Sequence, residues 1–355
     1  MANFWTNFWK QFSIDLGIDL GTANSMVYVR GHGIVIQEPS VVAISQKTKD
    51  ILAIGEEAKK MVGRTPFDIH AIRPLRSGVV SDFEVTEQML RYFIHKAVQN
   101  YARVRLFPNP RVIIGIPSGV TEVERRAVHD AALNAGARKV FLIEEPMAAA
   151  IGARLPVHDA GGCMIIDVGG GTAEIAVISL GGVVSSQSIR IAGDKLDEDI
   201  ILYVRNVLNL VIGERMAEGV KISIGSAWPL KKELEAVIKG RDVLTGLPRA
   251  ETISSVQVRE AMTESLGIIV EAAKSTIEQT PPELVADILD RGIVLAGGGA
   301  QIRGLDTLLS QECKMPVTVA EDPMTCVVRG TGVLLDDIEL LQRVSVTSKY
   351  EKVPY

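Results

Sequence analysis

Apolar and polar positions alternate along this chain in a pattern that occurs twice. Ile14 to Leu20 is a largely apolar run that predicts a strand, D-L-G-T-A-N occupies 19–24, and Ser25 to Arg30 predicts a second strand, so the segment is a hairpin with a polar tip. The order returns 148 residues later: Met164 to Val168 is apolar, D-V-G-G-G-T fills 167–172, and Ala173 to Leu180 is again a strand. Between the hairpins, Val112 to Ile116 and Val140 to Ile143 read as buried strands, each followed by a helical period, which is the alternation of a doubly wound α/β sheet. The second of these runs into Glu144-Glu145-Pro146. Proline at the first helical position makes Glu145 the last residue before a helix, at the carboxyl edge of the sheet where ligands bind in open α/β folds. An acidic residue that merely complements the helix dipole is the alternative. A third cluster, I-V-L-A-G-G-G-A at 293–300, follows a strand pattern and opens into a helix pattern over Gln301 to Gln311.

Each hairpin carries Asp-x-Gly at its turn. Glycines there let backbone N–H groups approach an oxyanion, and Thr22 and Thr172 add hydroxyl donors. Two such turns facing one another would clamp a polyphosphate from both sides. Asp19 and Asp167 would then stand close to phosphate, which requires a cation, and Mg²⁺ held largely through water is the natural choice. A single Asp-x-Gly hairpin is an ordinary tight turn; its duplication is what demands a common chemical reason.

Composition narrows the picture. The 355 residues, 47% apolar and 23% charged, make a globular chain of about two domains. The 38 basic against 43 acidic residues remove the general electrostatic attraction of a nucleic-acid binder. Cys163, Cys313 and Cys326 are too few and too widely spaced for a disulfide framework, and His32, His70, His95, His129 and His158 form no metal-binding pair. No stretch is long and apolar enough to span a bilayer and no signal peptide opens the chain, so a cytoplasmic location is expected.

Residues 1–12 nevertheless hold five of the 8 Phe and 3 Trp of the chain. On a helix Phe4, Trp5, Phe8, Trp9 and Phe12 fall within an arc of about 140°, with Asn3, Thr6, Asn7, Lys10 and Gln11 opposite. That is the composition of an in-plane membrane anchor, the alternative being a helix docked on the protein's own core. A second apolar pair, Leu106-Phe107, stands among Arg103, Arg105 and Arg111 beside Pro108 and Pro110, and either inserts between anionic headgroups or tucks into its own domain.

At this point the motifs resemble those of the actin, Hsp70 and sugar-kinase ATPase superfamily: D-L-G-T-A-N its first phosphate motif, D-V-G-G-G-T its second, and L-A-G-G-G-A its adenosine motif. Within that group the chain resembles the MreB family of bacterial actins through Q-E-P-S-V-V at 37–42, A-I-R-P-L at 71–75, V-E-R-R-A at 123–127, L-I-E-E-P-M-A-A-A-I-G at 142–152 and T-P-P-E-L at 280–284. The likeness runs from about Ile14 to Leu335.

The resemblance implies an actin-like, two-lobed α/β ATPase fold, with duplicated mixed-sheet subdomains around a nucleotide cleft. Its subdomains would be residues 13–42, 76–159 and 329–355 (IA), 43–75 (IB), 160–194 and 260–328 (IIA) and 195–259 (IIB), preceded by the anchor at 1–12. By the same resemblance Glu145 would polarise the attacking water, assisted by Thr172, while Asp19 and Asp167 would hold Mg²⁺. Thr22, Ala23, Asn24, Gly169, Gly170 and Gly171 would line ATP phosphates, and Gly297, Gly298, Gly299 and Ala300 the adenosine side. Glu218 and Lys221 would contact the nucleoside, although an ordinary surface ion pair is the alternative for them.

The family implies slow ATP hydrolysis coupled to assembly into antiparallel pairs of protofilaments on the inner face of the cytoplasmic membrane. It also implies a RodZ-type scaffold among the partners, no nucleic acid, and a role in wall synthesis and rod shape. Val123 would lie near the contact between protofilaments or else face the core. Two departures stand out: Ala173 where a second threonine is common, and Gly219 where an arginine is common. Three other readings compete: a soluble small-molecule kinase of the same superfamily, an Hsp70-like chaperone, for which the roughly 20 residues after Leu335 are too few, and a filament whose nucleotide is only a structural ligand.

Overall fold

Strand β1 (Asp15–Leu20) is buried along nearly its whole length, its apolar positions Leu16, Ile18 and Leu20 fitting a strand covered on both faces. It pairs antiparallel with β2 (Asn24–Val29), which pairs antiparallel with β3 (Gly33–Pro39). The computed structural model describes residues 14–76, 78–101 and 109–346. In chain order there follow β4 (Val42–Ser45), β5 (Ile51–Ile54), α1 (Glu56–Met61), β6 (Ile69–Ile72), the short pair β7 (Leu75–Arg76) and β8 (Val79–Val80), α2 (Phe83–Tyr101), β9 (Arg111–Ile116), α3 (Glu122–Asn134), β10 (Lys139–Glu144) and α4 (Glu145–Gly152). The second half has β11 (Cys163–Val168), β12 (Ala173–Ser179), β13 (Gly182–Ile189), α5 (Gly193–Val207), β14 (Leu210–Val211), α6 (Glu214–Ile224), β15 (Glu235–Asp242), β16 (Pro248–Ser254), α7 (Ser255–Glu278), α8 (Pro282–Arg291), β17 (Ile293–Ala296), α9 (Leu305–Cys313) and β18 (Val317–Val319). Helices α10 (Cys326–Asp336) and α11 (Ile338–Val344) close the order.

These elements form two units, Met1–Val157 with Thr325–Tyr355, and His158–Met324. Each is built on a five-stranded mixed sheet, ordered β3-β2-β1-β9-β10 in the first and β13-β12-β11-β17-β18 in the second. The two orders are the same once the strands of each unit are counted from its hairpin. In both, the hairpin strands are antiparallel and the next two join parallel to the first hairpin strand. Each unit also carries a three-stranded sheet, β5-β4-β6 in the first and β14-β15-β16 in the second.

The two cores are separate. In the first unit Leu16, Ile18, Val112 and Ile114 meet Met89, Leu90 and Phe93 of α2; in the second, Ile166, Ile175 and Val177 meet Ile200 and Val204 of α5 and Met262 and Ile269 of α7. Helix starts are marked locally: Thr121 with Glu124 forms a capping box for α3, and Ser254 with Gln257 does so for α7. Helices α4 and α10 cross so closely that a Cβ on Gly152 would strike the Cys326 carbonyl, and one on Gly330 the Ala148 carbonyl. Backbone therefore touches backbone where the two helices meet.

Two boundaries differ from the sequence pattern. Glu145 is the first residue of α4 rather than the last before it, with Glu144 in the extended cap position; the first-turn N–H groups have no helical partner, so Pro146 is accommodated one position further in. The helix expected over Gln301–Gln311 begins only at Leu305. Gly298–Gln301 makes a 3₁₀ turn instead, and Gly304 takes a left-handed conformation at φ 75° before α9 starts.

The crossing of α4 and α10 gives a direct test. Gly330→Ala should cost about 1–3 kcal/mol in urea unfolding of the ligand-free protein, because neither backbone can yield without moving a helix. An unchanged midpoint and slope would show that the two helices separate freely.

Candidate functional site

In the first unit the site residues collect at the carboxyl ends of three neighbouring strands. Asp19 on β1 lies in register with Gly115 on β9, and Gly115 in turn with Ile143 on β10. Glu145 follows at the start of α4, and a Cβ built on Gly115 would stand 3.4 Å from Glu145 Cγ. Parallel pairing therefore brings Asp19 and Glu145 to one edge although they are 126 residues apart in sequence. Burial pushes the Asp19 carboxyl up to about 7, since a desolvated carboxylate resists ionisation.

The first turn is held from one side. Ser40 Oγ donates to the Gly21 carbonyl at 2.5 Å, and Ser40 N–H donates to the Ala23 carbonyl at 3.0 Å. Ser40 Oγ also lies 2.8 Å from the buried Ser25 hydroxyl. A trans peptide points its C=O and N–H in opposite directions, so the N–H groups of Thr22 and Asn24 face away from Ser40. Thr22 Oγ1 accepts from Gly78 N–H at 3.1 Å, which leaves its own proton to donate.

The second unit repeats the arrangement on β11, β12 and β17. Asp167 is buried at 6% exposure, and Gly169 N–H closes the turn by donating to the Thr172 carbonyl at 2.9 Å. Thr172 and Ala173 are buried as well. The third glycine cluster packs on the same strand end: a Cβ on Gly297, which has φ +80°, would collide with Asp167 Oδ1 and the Val168 carbonyl, and one on Gly299 with the Val168 side chain. Gly297 N–H donates to the Pro323 carbonyl at 2.8 Å. Glycine is required at 297 on both counts, the backbone angle and the close approach. Gly298 and the buried Ala300 belong to the 3₁₀ turn that follows.

Glu218 and Lys221 lie on α6, as the pattern implied. Lys221 Nζ turns to Asp197 Oδ2 at 2.9 Å and donates to the Gly193 carbonyl at 2.6 Å. A Cβ at Gly219 would meet nothing within 4 Å, and nothing in the structure explains that glycine. Val123 is 80% exposed on α3, which removes the core-facing alternative. The segment bearing Phe4, Trp5, Phe8, Trp9 and Phe12, and the pair Leu106-Phe107, lie outside the described residues. The strands that follow them begin side by side, because Asp15 on β1 pairs with Arg111 on β9. Asp15 gathers three arginines there, Arg111 at 2.7 Å and Arg30 and Arg138 each at 3.7 Å.

Among the described residues no three His, Cys, Asp or Glu side chains gather to hold a metal, and no helix is long and apolar enough to cross a membrane. A divalent cation here would thus take only one or two carboxylates from the protein, with water and phosphate completing its shell. That is the way Mg²⁺ is bound beside nucleotides, and the desolvated Asp19 suits it. Sequence reasoning missed Ser40, Gly78 and Asp197. The last was detectable as a carboxylate inside the apolar stripe Leu196, Ile200, Val204 of α5.

A five-stranded mixed sheet occurring twice, with Asp-x-Gly between its first two strands each time, is the actin-like α/β fold. The MreB/Mbl protein family model matches residues 13–343. The chain is 54% identical to the cell shape-determining protein MreB of Escherichia coli (strain K12), over 90% of this chain and 92% of that protein. It is 51% identical to the cell shape-determining protein Mbl of Bacillus subtilis (strain 168), over 91% and 96%. Crystalline MreB5 of Spiroplasma citri bound to ADP superposes with TM-score 0.87 at 38% identity, covering 92% of this chain and 97% of that one. The chain belongs to the MreB/Mbl family.

The Asp19 environment sets a pH dependence. Its carboxyl is held at about 7 in the folded protein against 3.8 ordinarily, so the native state keeps a proton that the unfolded chain has lost, and stability of the ligand-free protein falls as pH rises between those values. Asp19→Asn should accordingly raise Tm at pH 8 without nucleotide and leave it nearly unchanged at pH 4. An equal effect at both pH values would show a solvated carboxylate.

Proposed function

We propose that this chain is a membrane-associated actin homologue that binds ATP with Mg²⁺, polymerises, hydrolyses ATP slowly in the filament, and organises wall synthesis to maintain rod shape. The observation that carries the reading is the repeat: in each unit the first strand of the same sheet has an aspartate as its penultimate residue and turns through glycine and threonine. Its kinship supports the biological half, since the related MreB and Mbl proteins are named for determining cell shape. Nucleotide binding draws support from MreB5 of Spiroplasma citri, which has been crystallised with ADP and with AMPPNP.

In this reading the N–H groups of the Thr22–Asn24 and Gly169–Gly171 turns bind phosphate oxygens, and the hydroxyls of Thr22 and Thr172 add donors. Gly297 to Ala300 line the adenosine side, and Glu218 and Lys221 meet the nucleoside. Glu145 orients and polarises the attacking water, with Thr172 assisting. Asp19 and Asp167 hold Mg²⁺ through water, and the ion supplies counter-charge for the phosphates. Phosphoryl transfer of this kind rests on positioning and charge relief rather than on a covalent intermediate.

The aromatic segment at 1–12 and the Leu106-Phe107 loop both lead into neighbouring strand starts, beside Arg30, Arg111 and Arg138. That is a suitable edge for an anionic bilayer, and each weak contact is multiplied along a filament. The exposed Val123 suits the contact between antiparallel protofilaments, and a RodZ-type scaffold would connect the filament to the wall machinery.

Glu145→Ala should reduce ATP turnover at least tenfold while leaving nucleotide affinity within about threefold. Phosphate release and equilibrium binding read the two separately, and normal turnover would remove Glu145 from catalysis. Replacing Trp5 and Trp9 by Glu should weaken co-sedimentation with anionic liposomes while ATP binding persists. Unchanged sedimentation would defeat the anchor. A soluble kinase, by contrast, would remain monomeric with ATP on lipid under negative-stain imaging.

A further inference from the structure

Helix α5 buries the stripe Gly193, Leu196, Asp197, Ile200 and Val204. A carboxylate in such a stripe is costly unless it is paired. One oxygen of Asp197, Oδ2, meets Lys221 Nζ at 2.9 Å. The other, Oδ1, is fully enclosed and has no hydrogen-bond partner among the described residues. The carboxylate therefore spends itself on a single contact, with the lysine that our functional reading assigns to the nucleoside.

Lys221 is in turn committed at two points. Its ammonium donates to Asp197 and to the Gly193 carbonyl at 2.6 Å, and a lysine has three such protons, so one remains for a ligand. Gly193 is itself tied to the second phosphate turn. Its N–H donates to the Gly169 carbonyl at 3.2 Å, and the next N–H, that of Asp194, donates to the Gly170 carbonyl at 2.7 Å. A Cβ at Gly193 would stand 3.2 Å from the Gly169 carbonyl oxygen and 3.4 Å from Lys221 Nζ, which leaves no slack in this chain of contacts.

We propose that Asp197 is a positioning residue for nucleotide binding: it clamps Lys221 against the Gly193 carbonyl and so fixes the nucleoside-contacting ammonium relative to the Gly169–Gly170 turn, without itself touching the nucleotide. The proposal rests on Lys221 being a nucleotide contact. No part of the established kinship requires Asp197 for this. A long, flexible lysine left to itself loses rotamer freedom on binding, and a clamp that removes this freedom beforehand raises affinity.

The clamp has a pH signature. Burial pushes Asp197 up to about 6, with Glu218 and Asp194 adding in the same direction and Lys221 opposing. Those are the charged groups that face it from α6 and from its own helix. Helix α7 meets α5 through Tyr203–Glu260 and Asp199–Ser265, on other positions. Protonation near pH 6 removes the charge that holds Lys221, so wild-type affinity should approach that of a clampless variant in acid.

The test is equilibrium binding of ADP with Mg²⁺ to the full-length protein, wild type, Asp197→Asn, Lys221→Met and the double variant, from pH 8 to pH 5. Each single variant should weaken binding about tenfold at pH 8, and the double variant should be no weaker than Lys221→Met alone. The ratio of wild-type to D197N affinity, in which titration of the ligand cancels, should fall toward one at pH 5. An unchanged K221M affinity would overturn the nucleoside assignment, and the proposal with it. A weakened K221M beside an unchanged D197N, additive losses in the double variant, or a ratio constant with pH would overturn the proposal alone. If D197N does not fold, the same ratio is taken between wild type and K221M, and its constancy across pH has the same force.

Discussion

Parallel pairing of β1 with β9, and of β11 with β17, is the constraint on which the candidate site depends. A parallel neighbour brings the carboxyl ends of two strands side by side, and the loops that leave those ends are then forced together. Asp19 comes to lie beside Gly115, against which Glu145 at the start of α4 packs, and Asp167 beside Ala296 and the glycines that follow it. Had the strands been antiparallel, each aspartate would stand beside the amino end of its neighbour, and Glu145 or Gly297 would be a strand length away. The antiparallel hairpins on the other side of β1 and β11 supply the tight glycine turns at the same edge. One mixed sheet thus serves both needs, a tight turn and a convergence of strand ends.

Close backbone approach is the second theme, and it is bought with missing side chains. Gly297 lies on Asp167 and Val168, and Gly152 and Gly330 let α4 and α10 touch main chain to main chain. Interiors packed in this way have few intermediate arrangements, because van der Waals contacts cannot stretch by an ångström and persist. Rigidity at these points fixes Glu145 at the head of α4 and the glycine turn at the end of β17. It also explains why short elements suffice: α4 has 8 residues and β17 has 4, too few to hold a position unaided.

Electrostatics at the site is unbalanced in the protein alone. Asp19 is desolvated, and Asp197 has one oxygen paired with Lys221 and one enclosed without a hydrogen-bond partner among the described residues. Both cost stability in the isolated chain; the functional reading puts a cation at Asp19 and has Asp197 act through Lys221. One buried acid elsewhere is compensated more fully. Asp242, which closes the β15–β16 turn, accepts from the N–H groups of Leu244 and Thr245 and pairs with Arg249, and its carboxyl is held down at about 2. The contrast between Asp242, with its carboxylate fully engaged, and Asp197, with one oxygen enclosed and unpartnered among the described residues, is what separates fold from function here.

Much of this was readable in the sequence. The hairpins, the buried strands, the glycine clusters and Asp19, Asp167 and Glu145 all follow from runs of apolar residues and from residue types at fixed offsets, which are local properties. Repetition of the Asp-x-Gly turn was the strongest of these signals, because it correlates two distant parts of one chain. Tertiary structure decided the rest. That Ser40 braces the first turn, that Glu145 packs against Gly115, and that Lys221 answers to Asp197 are contacts between residues 19 to 30 positions apart, and each depends on strand register or helix rotation that no local pattern fixes. The start of α9 moved for the same reason: Gly304, left-handed and packed against Trp228, sets Leu305 as the first helical residue.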